Sequence, residues 1–411
     1  MPHLGAMTLL GFTGYAALLP VAPLWAVHGG ADAAGAGLVN GVLLLATVLT
    51  QGFIPGALAR FGWARVLVVG LVLLGAPSLA TVASDSLAWI LAWSVVRGMG
   101  FAVLTVCGSS AVAMLVEPSR RGAGIGAYGL AVAVPNVLIL SLAPWAVETV
   151  GYAPVFVVGA TPILAVPAAI ALARRLPENP PTASLPQVGD VATPVQSASG
   201  ASGASGASGG SGSGAARPLP TRAVMLRALL APTLILLSVT LAGGGVLTFL
   251  PQMLADPTVV MIGLLAFGVM TTASRWLIGT IADRHGAHGF VAPLLLSAVL
   301  GMVLISFAVR DPQAPAIWAL GLGLLAGGLA YGALQNLTLL MAFNAVPGRK
   351  VGTASAVWNV GFDAGTGIGS ILVGAFAARS GFPVAMLAVA AVCALAIPLA
   401  LRATASLRSR P

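Results

Sequence analysis

Asp363 is the one acidic residue of this 411-residue chain that falls deep inside an apolar stretch. It sits in Asn359-Val-Gly361-Phe-Asp363-Ala-Gly365, about 20 Å along its segment if that segment is helical. An ionised carboxylate buried alone is expensive, so this one is paired, protonated or turned to water. Two chemistries follow. Asp363 can load and release a proton or handle a substrate, or it can form a fixed ion pair, for which Arg275 lies at a similar depth. Arg97 is the other arginine within an apolar stretch. An arginine stays charged, so Arg97 either binds an anion or biases a nearby carboxyl, or it hydrogen-bonds backbone carbonyls and does no more.

Around these charges lie polar and aromatic residues in otherwise apolar surroundings: Tyr15, Trp25, Thr105, Thr248, Phe249, Gln252, Tyr331, Gln335 and Asn336. The adjacent amides Gln335 and Asn336 need partners there. Singly, each of the nine reads as packing or an interhelical hydrogen bond. Together they describe an apolar cavity with a few polar handles. Other chemistries lack their residues. Cys107 and Cys393 sit singly in apolar segments and read as small core residues. His285 and His288 have no cysteine or further histidine beside them, so no metal is expected. No Ser/His/Asp set or pair of acids stands at depth, which argues against an enzyme. The glycine-rich run at 197–215 has no strand before it and no Lys-Ser/Thr after it, so it is not a phosphate loop and no nucleotide cofactor is implied.

The elements that must position these residues are set by composition. The chain is 58% hydrophobic and 7% charged, with a mean hydropathy of +1.00. Soluble domains carry about 25% charged residues. Only a protein facing lipid can leave so much apolar side chain outside. A helix crossing a bilayer needs about 20 apolar residues. Read in those units, the chain has spans near 4–28, 37–58, 66–84, 87–116, 122–148 and 152–173, then near 228–253, 258–282, 289–309, 314–345, 351–378 and 382–402. The first stretch lacks a basic lead and runs too far for a signal peptide. The expectation is an all-α polytopic membrane protein of twelve helices. Residues 1–175 form one six-helix bundle, 176–221 a flexible Pro/Gly/Ser-rich linker, and 222–411 a second bundle.

The formal charge of +9 invites a nucleic-acid reading, but its placement argues for topology instead. With the N-terminus in the cytoplasm, 15 of the 19 basic residues fall in cytoplasmic segments, and only Arg310 and Arg379 fall outside. The outer loops carry Asp32, Asp85, Glu148, Asp256 and Asp311. Both termini are then cytoplasmic. A shift of 230 residues lays the second half on the first: Gly98 meets Gly328, Gly151 meets Gly381, Phe101 meets Tyr331, Tyr128 meets Trp358, and Tyr152 meets Phe382. Aromatic matches are the telling ones in a chain that is 6% aromatic. Two halves related by a parallel repeat is an architecture of secondary transporters.

The loop after the eighth span reads Gly279-Thr-Ile-Ala-Asp283-Arg284-His285-Gly286, and that after the second reads Gly56-Ala-Leu-Ala59-Arg60-Phe61-Gly62. These resemble the loop motif of the major facilitator superfamily. Arg97-Gly98-Met-Gly100 resembles that family's intramembrane arginine motif, and the resemblance covers nearly the whole chain. It implies a gating role for Asp283, Arg284, Gly279, Gly286, Arg60 and Gly62, with the acid replaced by Ala59 in the first copy. Asp283 would latch one gate by accepting from a neighbouring helix start, or else it is a simple topology charge at a turn. The helix-five pattern of many drug–proton antiporters is absent apart from Pro135. The reading as a whole is a proton-coupled inner-membrane transporter of a small organic solute. It works as a monomer, with export as the direction and uptake of a small anion or metabolite as the rival.

Overall fold

The structure, a computed structural model, describes residues 1–115, 121–177, 222–285, 288–346 and 351–408. Those residues are helical with short turns and contain no strand. The helices are α1 (Pro2–His28), α2 (Ala33–Gln51), α3 (Ile54–Thr81), α4 (Leu87–Leu115), α5 (Arg121–Val150), α6 (Tyr152–Gly159) and α7 (Val166–Ala173). After the long gap come α8 (Arg222–Met253), α9 (Pro257–His285), α10 (His288–Ala308), α11 (Ile317–Asn344) and α12 (Val351–Arg408). A 3-10 turn over Thr161–Ala165 joins α6 to α7, so the sixth span is one apolar segment broken at Pro162. The linker expected at 176–221 lies outside the described residues from 178 onward. Leu176, placed within it, is instead buried in the core.

Eleven helical segments among the described residues are long and apolar enough to cross a membrane. The last runs for 50 residues, about 75 Å if straight, against a hydrocarbon core of about 30 Å. It crosses twice, because Gly381 adopts φ 80, ψ 163 in its middle. That conformation is essentially closed to residues with a Cβ. The described residues thus supply twelve crossings. Gly151, at the equivalent point before α6, has φ 86, ψ 174, so the repeat seen in the sequence is carried by the backbone. A second equivalence lies 224 residues apart. Asp32 accepts from the backbone N–H of Gly35 at 2.8 Å to start α2, and Asp256 accepts from that of Thr258 at 2.7 Å to start α9. Both carboxylates satisfy orphan donors at a helix N-terminus.

Burial separates the helices into inner and outer sets. The most apolar windows of α1, α4, α8 and α11 are 61–78% buried, whereas that of α9 is 28% buried. These four correspond to spans 1, 4, 7 and 10, which carry the polar residues singled out from sequence. The two groups of helices meet along α2 with α12, α5 with α9, and α1 with α8. The end of the bundle bearing Asp32, Asp85, Asp256 and Asp311 is called the acidic end below.

Candidate functional site

At the acidic end the halves are in tight contact. Gly37 of α2 lies against the Ser370 carbonyl of α12, and Gly374 of α12 lies against the Ala33 carbonyl. The backbones approach so closely because neither position carries a Cβ. A buried polar chain fastens this seam. Asn40 Nδ2 donates to the Leu19 carbonyl at 2.8 Å and to Thr248 Oγ1 at 3.0 Å, and Thr248 Oγ1 bonds Ser370 Oγ at 2.9 Å. Four helices, α1, α2, α8 and α12, are thereby joined. A cleft lined by Leu24, Pro144, Glu148, Pro251 and Leu254 opens beside it.

Deeper in, α2 and α12 are linked by side chains rather than by backbone contact. Gln51 Nε2 donates to Asp363 Oδ2 at 2.8 Å, joining residues 312 apart in sequence. Asp363 is 7% exposed. No arginine or other basic group of the described residues lies within 4.0 Å of it. The fixed pair with Arg275 weighed from sequence is not formed. Arg275 Nη1 donates instead to Gln335 Oε1 at 3.1 Å, and its backbone carbonyl accepts from Asn336 Nδ2 at 2.8 Å. Gln335 Oε1 and Asn336 Nδ2 of α11 thus find partners on α9, while Gln335 Nε2 is buried without one.

Two tyrosines lie near these charges. Tyr15 of α1 is within electrostatic range of Asp363, Tyr331 and Arg97. Tyr331 of α11 is within range of Asp363 and Arg275. Asp363 thus shares its surroundings with both tyrosines, of which Tyr15 also feels Arg97 and Tyr331 also feels Arg275. The Tyr15 ring stacks on Phe101 with centroids 3.8 Å apart and planes 5° apart, and Phe12 meets both edge-on. Phe101 is one turn of α4 beyond Arg97, on the same face. On the other side Tyr331 packs with Phe267 and Phe362. Two aromatic clusters, Phe12–Tyr15–Phe101 and Phe267–Tyr331–Phe362, thus lie in range of the one buried carboxyl.

Other residues singled out from sequence lie elsewhere. Trp25 donates from Nε1 to the carbonyls of Thr81 and Ser84, both at 3.1 Å, and stacks on His28. It anchors the acidic end of α1 rather than lining the centre. Thr105 bonds carbonyls of its own helix, and Phe249 packs on Phe382 and against Gly37. Gln252 leaves Nε2 buried without a partner. Of the loop residues, Gly62 breaks α3 with φ 75, Arg60 lies over the Phe61 ring, Arg284 is exposed, and Gly279 is inside α9. The Asp283 side chain and Gly286 lie outside the described residues. Sequence reasoning missed Gln51, Asn40 and Ser370. The signal for the first two was available, since both are amides within an apolar span.

The Major Facilitator Superfamily family model matches residues 4–327 and 233–411. The chain belongs to the major facilitator superfamily. It is thus a multi-pass membrane protein and a secondary transporter of small solutes, not an enzyme. Among solved structures it is similar to a bacterial homologue of the human lysosomal transporter Spinster in an inward-facing, occupied conformation. The TM-score is 0.73 and the identity 15%, over 98% of this chain and 95% of that one. It is also similar to the human organic anion transporter MFSD10 (TM-score 0.64, 17% identity, 97% of this chain and 98% of that one). The nucleoside transporter NupG gives a TM-score of 0.64 at 14% identity, with the same coverage. None of the curated proteins compared matches the sequence.

Proposed function

We propose that this protein exchanges protons for a small organic solute, exporting the solute across a bacterial inner membrane with both termini in the cytoplasm. The observation that carries the reading is the setting of Asp363. A buried carboxyl held by one neutral donor from the opposite half, with no cation beside it, suits a group that gains and loses a proton as the halves rock. A permanent ion pair would instead hold its charge through the cycle. The Gln51–Asp363 bond spans the seam that has to open and close, so protonation and gating share one contact. The acidic end, sealed by Gly37, Gly374 and the Asn40 chain, would be the outer face, in keeping with the basic residues on the opposite side. One twelve-helix chain encloses its own site, so it works as a monomer, with lipid, solute and protons as its partners and no cofactor.

The test is internal pH in liposomes carrying the purified protein, followed with a dye while pooled amines, drugs and organic acids are added. Solute-driven proton movement in the opposite direction to the solute supports exchange. Movement in the same direction favours uptake symport, the reading that two buried arginines against one acid also suit. Solute flux with no proton movement overturns the proposal.

A further inference from the structure

Arg97 has more hydrogen-bonding capacity than its surroundings use. Its side chain is 2% exposed, and Nε and Nη2 are buried with no acceptor. These are not two arbitrary nitrogens. Their N–H bonds run parallel along one edge of the planar guanidinium and form the fork that a carboxylate accepts with both oxygens. Leaving that edge dry and unpaired is costly, because the desolvation of a charged donor is not repaid. Nothing among the described residues relieves it: Arg97 makes no ion pair there, and Asp363 is taken by Gln51. A buried group left so calls for an explanation, and a ligand supplies one.

The surroundings say what kind. Arg97 shares its helix face with Phe101, which stacks on Tyr15, with Phe12 edge-on to both. An apolar aromatic cluster therefore lies on the face of α4 that carries Arg97. Arg275, the other arginine at membrane depth, is on α9 and engaged with Gln335 of α11. One fork without a second positive group matches a single negative charge, a carboxylate rather than a doubly charged phosphate ester. We propose that Arg97 is the anion subsite for the transported solute, which carries a carboxylate on an apolar or aromatic body. The two carboxylate oxygens accept from Nε and Nη2, and the body lies along Phe12, Tyr15 and Phe101. This rests on the transporter reading above and names the substrate class for the same central site.

The test is equilibrium binding to the purified full-length protein, read as thermal stability in titrations with sodium benzoate, benzamide and sodium chloride. Benzoate is expected to raise the melting temperature in a saturable way, while benzamide at equal concentration and chloride at equal ionic strength do not. Arg97→Lys keeps the charge but loses the fork, and its half-saturation is expected to rise about tenfold or more. Arg97→Met is expected to melt no lower than the parent, because it removes an unpaired buried charge, and to show no response to benzoate. Arg310→Gln, which removes an exposed arginine over Phe307, is expected to respond like the parent. Equal responses to benzoate and benzamide overturn the proposal, as does a parental benzoate response in either Arg97 variant. Binding is read without any proton flux. Protein that shows solute-driven proton movement but no benzoate binding therefore sinks this inference alone, and benzoate binding without proton movement sinks only the coupling.

Discussion

Replacing Gly37 with alanine should open the acidic end of the seam. The added methyl would meet the Ser370 backbone carbonyl of α12, well inside contact distance. A carbonyl in a helix cannot swing aside as a side-chain tip can, so α2 and α12 must separate. Alanine favours helix over glycine by about 0.5–1 kcal/mol, but α2 is helical whether the seam is open or closed, so this cancels. Stretching the Asn40–Thr248–Ser370 chain opposes opening in parent and variant alike. What remains is the overpacking of the closed seam, about 1–3 kcal/mol toward the open form, a shift of about 5- to 150-fold in population. Leu254, 6% exposed and lining the adjacent cleft, is the place for a reporter. The Leu254→Cys thiol should react with a maleimide correspondingly faster in the Gly37→Ala background, while the native Cys107 and Cys393 are buried. Gly52→Ala is the control. It has αR backbone angles and nothing within 4 Å of the new methyl, so it should leave the rate unchanged. An unchanged rate in Gly37→Ala would show that this contact does not hold the acidic end shut.

Further predictions follow from the same geometry. Gly151→Ala should lose about 1–3 kcal/mol of thermal stability through its backbone conformation alone, because no atom lies within 4 Å of the added methyl. Gly381→Ala should lose a similar amount, and a melting curve reads both. Asn40→Leu should destabilise by about 1–2 kcal/mol and raise maleimide labelling at Leu254→Cys, as it removes both donors that tie α2 to α1 and α8. Trp25→Phe should cost about 1 kcal/mol in the melting curve yet leave solute flux intact, since its two bonds tie α1 to the end of α3 and not to the centre.

The helices were legible in the sequence because lipid imposes a coarse rule: about 20 apolar residues per crossing. The twelfth crossing was legible too, although α12 runs on without a loop, because Gly381 falls between the two spans. Local detail was less so. The span expected at 37–58 runs as α2 to Gln51 and then into α3, with the real break at Gly62, where the chain takes positive φ. Pro162 gave a signal for the 3-10 turn inside the sixth span that hydropathy averages away. At the centre, the types of residue were readable but their partners were not. Asp363 and Arg275 lie at matching depth, which made a pair plausible, but depth says nothing of which faces of α9 and α12 are turned together. Gln51 and Gln335 take those places because α2 packs on α12 and α11 on α9.

The proton role of Asp363 is tested most directly by Asp363→Asn in liposomes. The asparagine side-chain oxygen can still accept from Gln51, so the fold and the seam contact should persist and the melting temperature should stay near that of the parent. What is lost is the titratable group. The account predicts that a solute which drives proton movement in the parent drives none in the variant. Parental proton flux in a folded Asp363→Asn protein would contradict it and leave Asp363 a structural acceptor for Gln51.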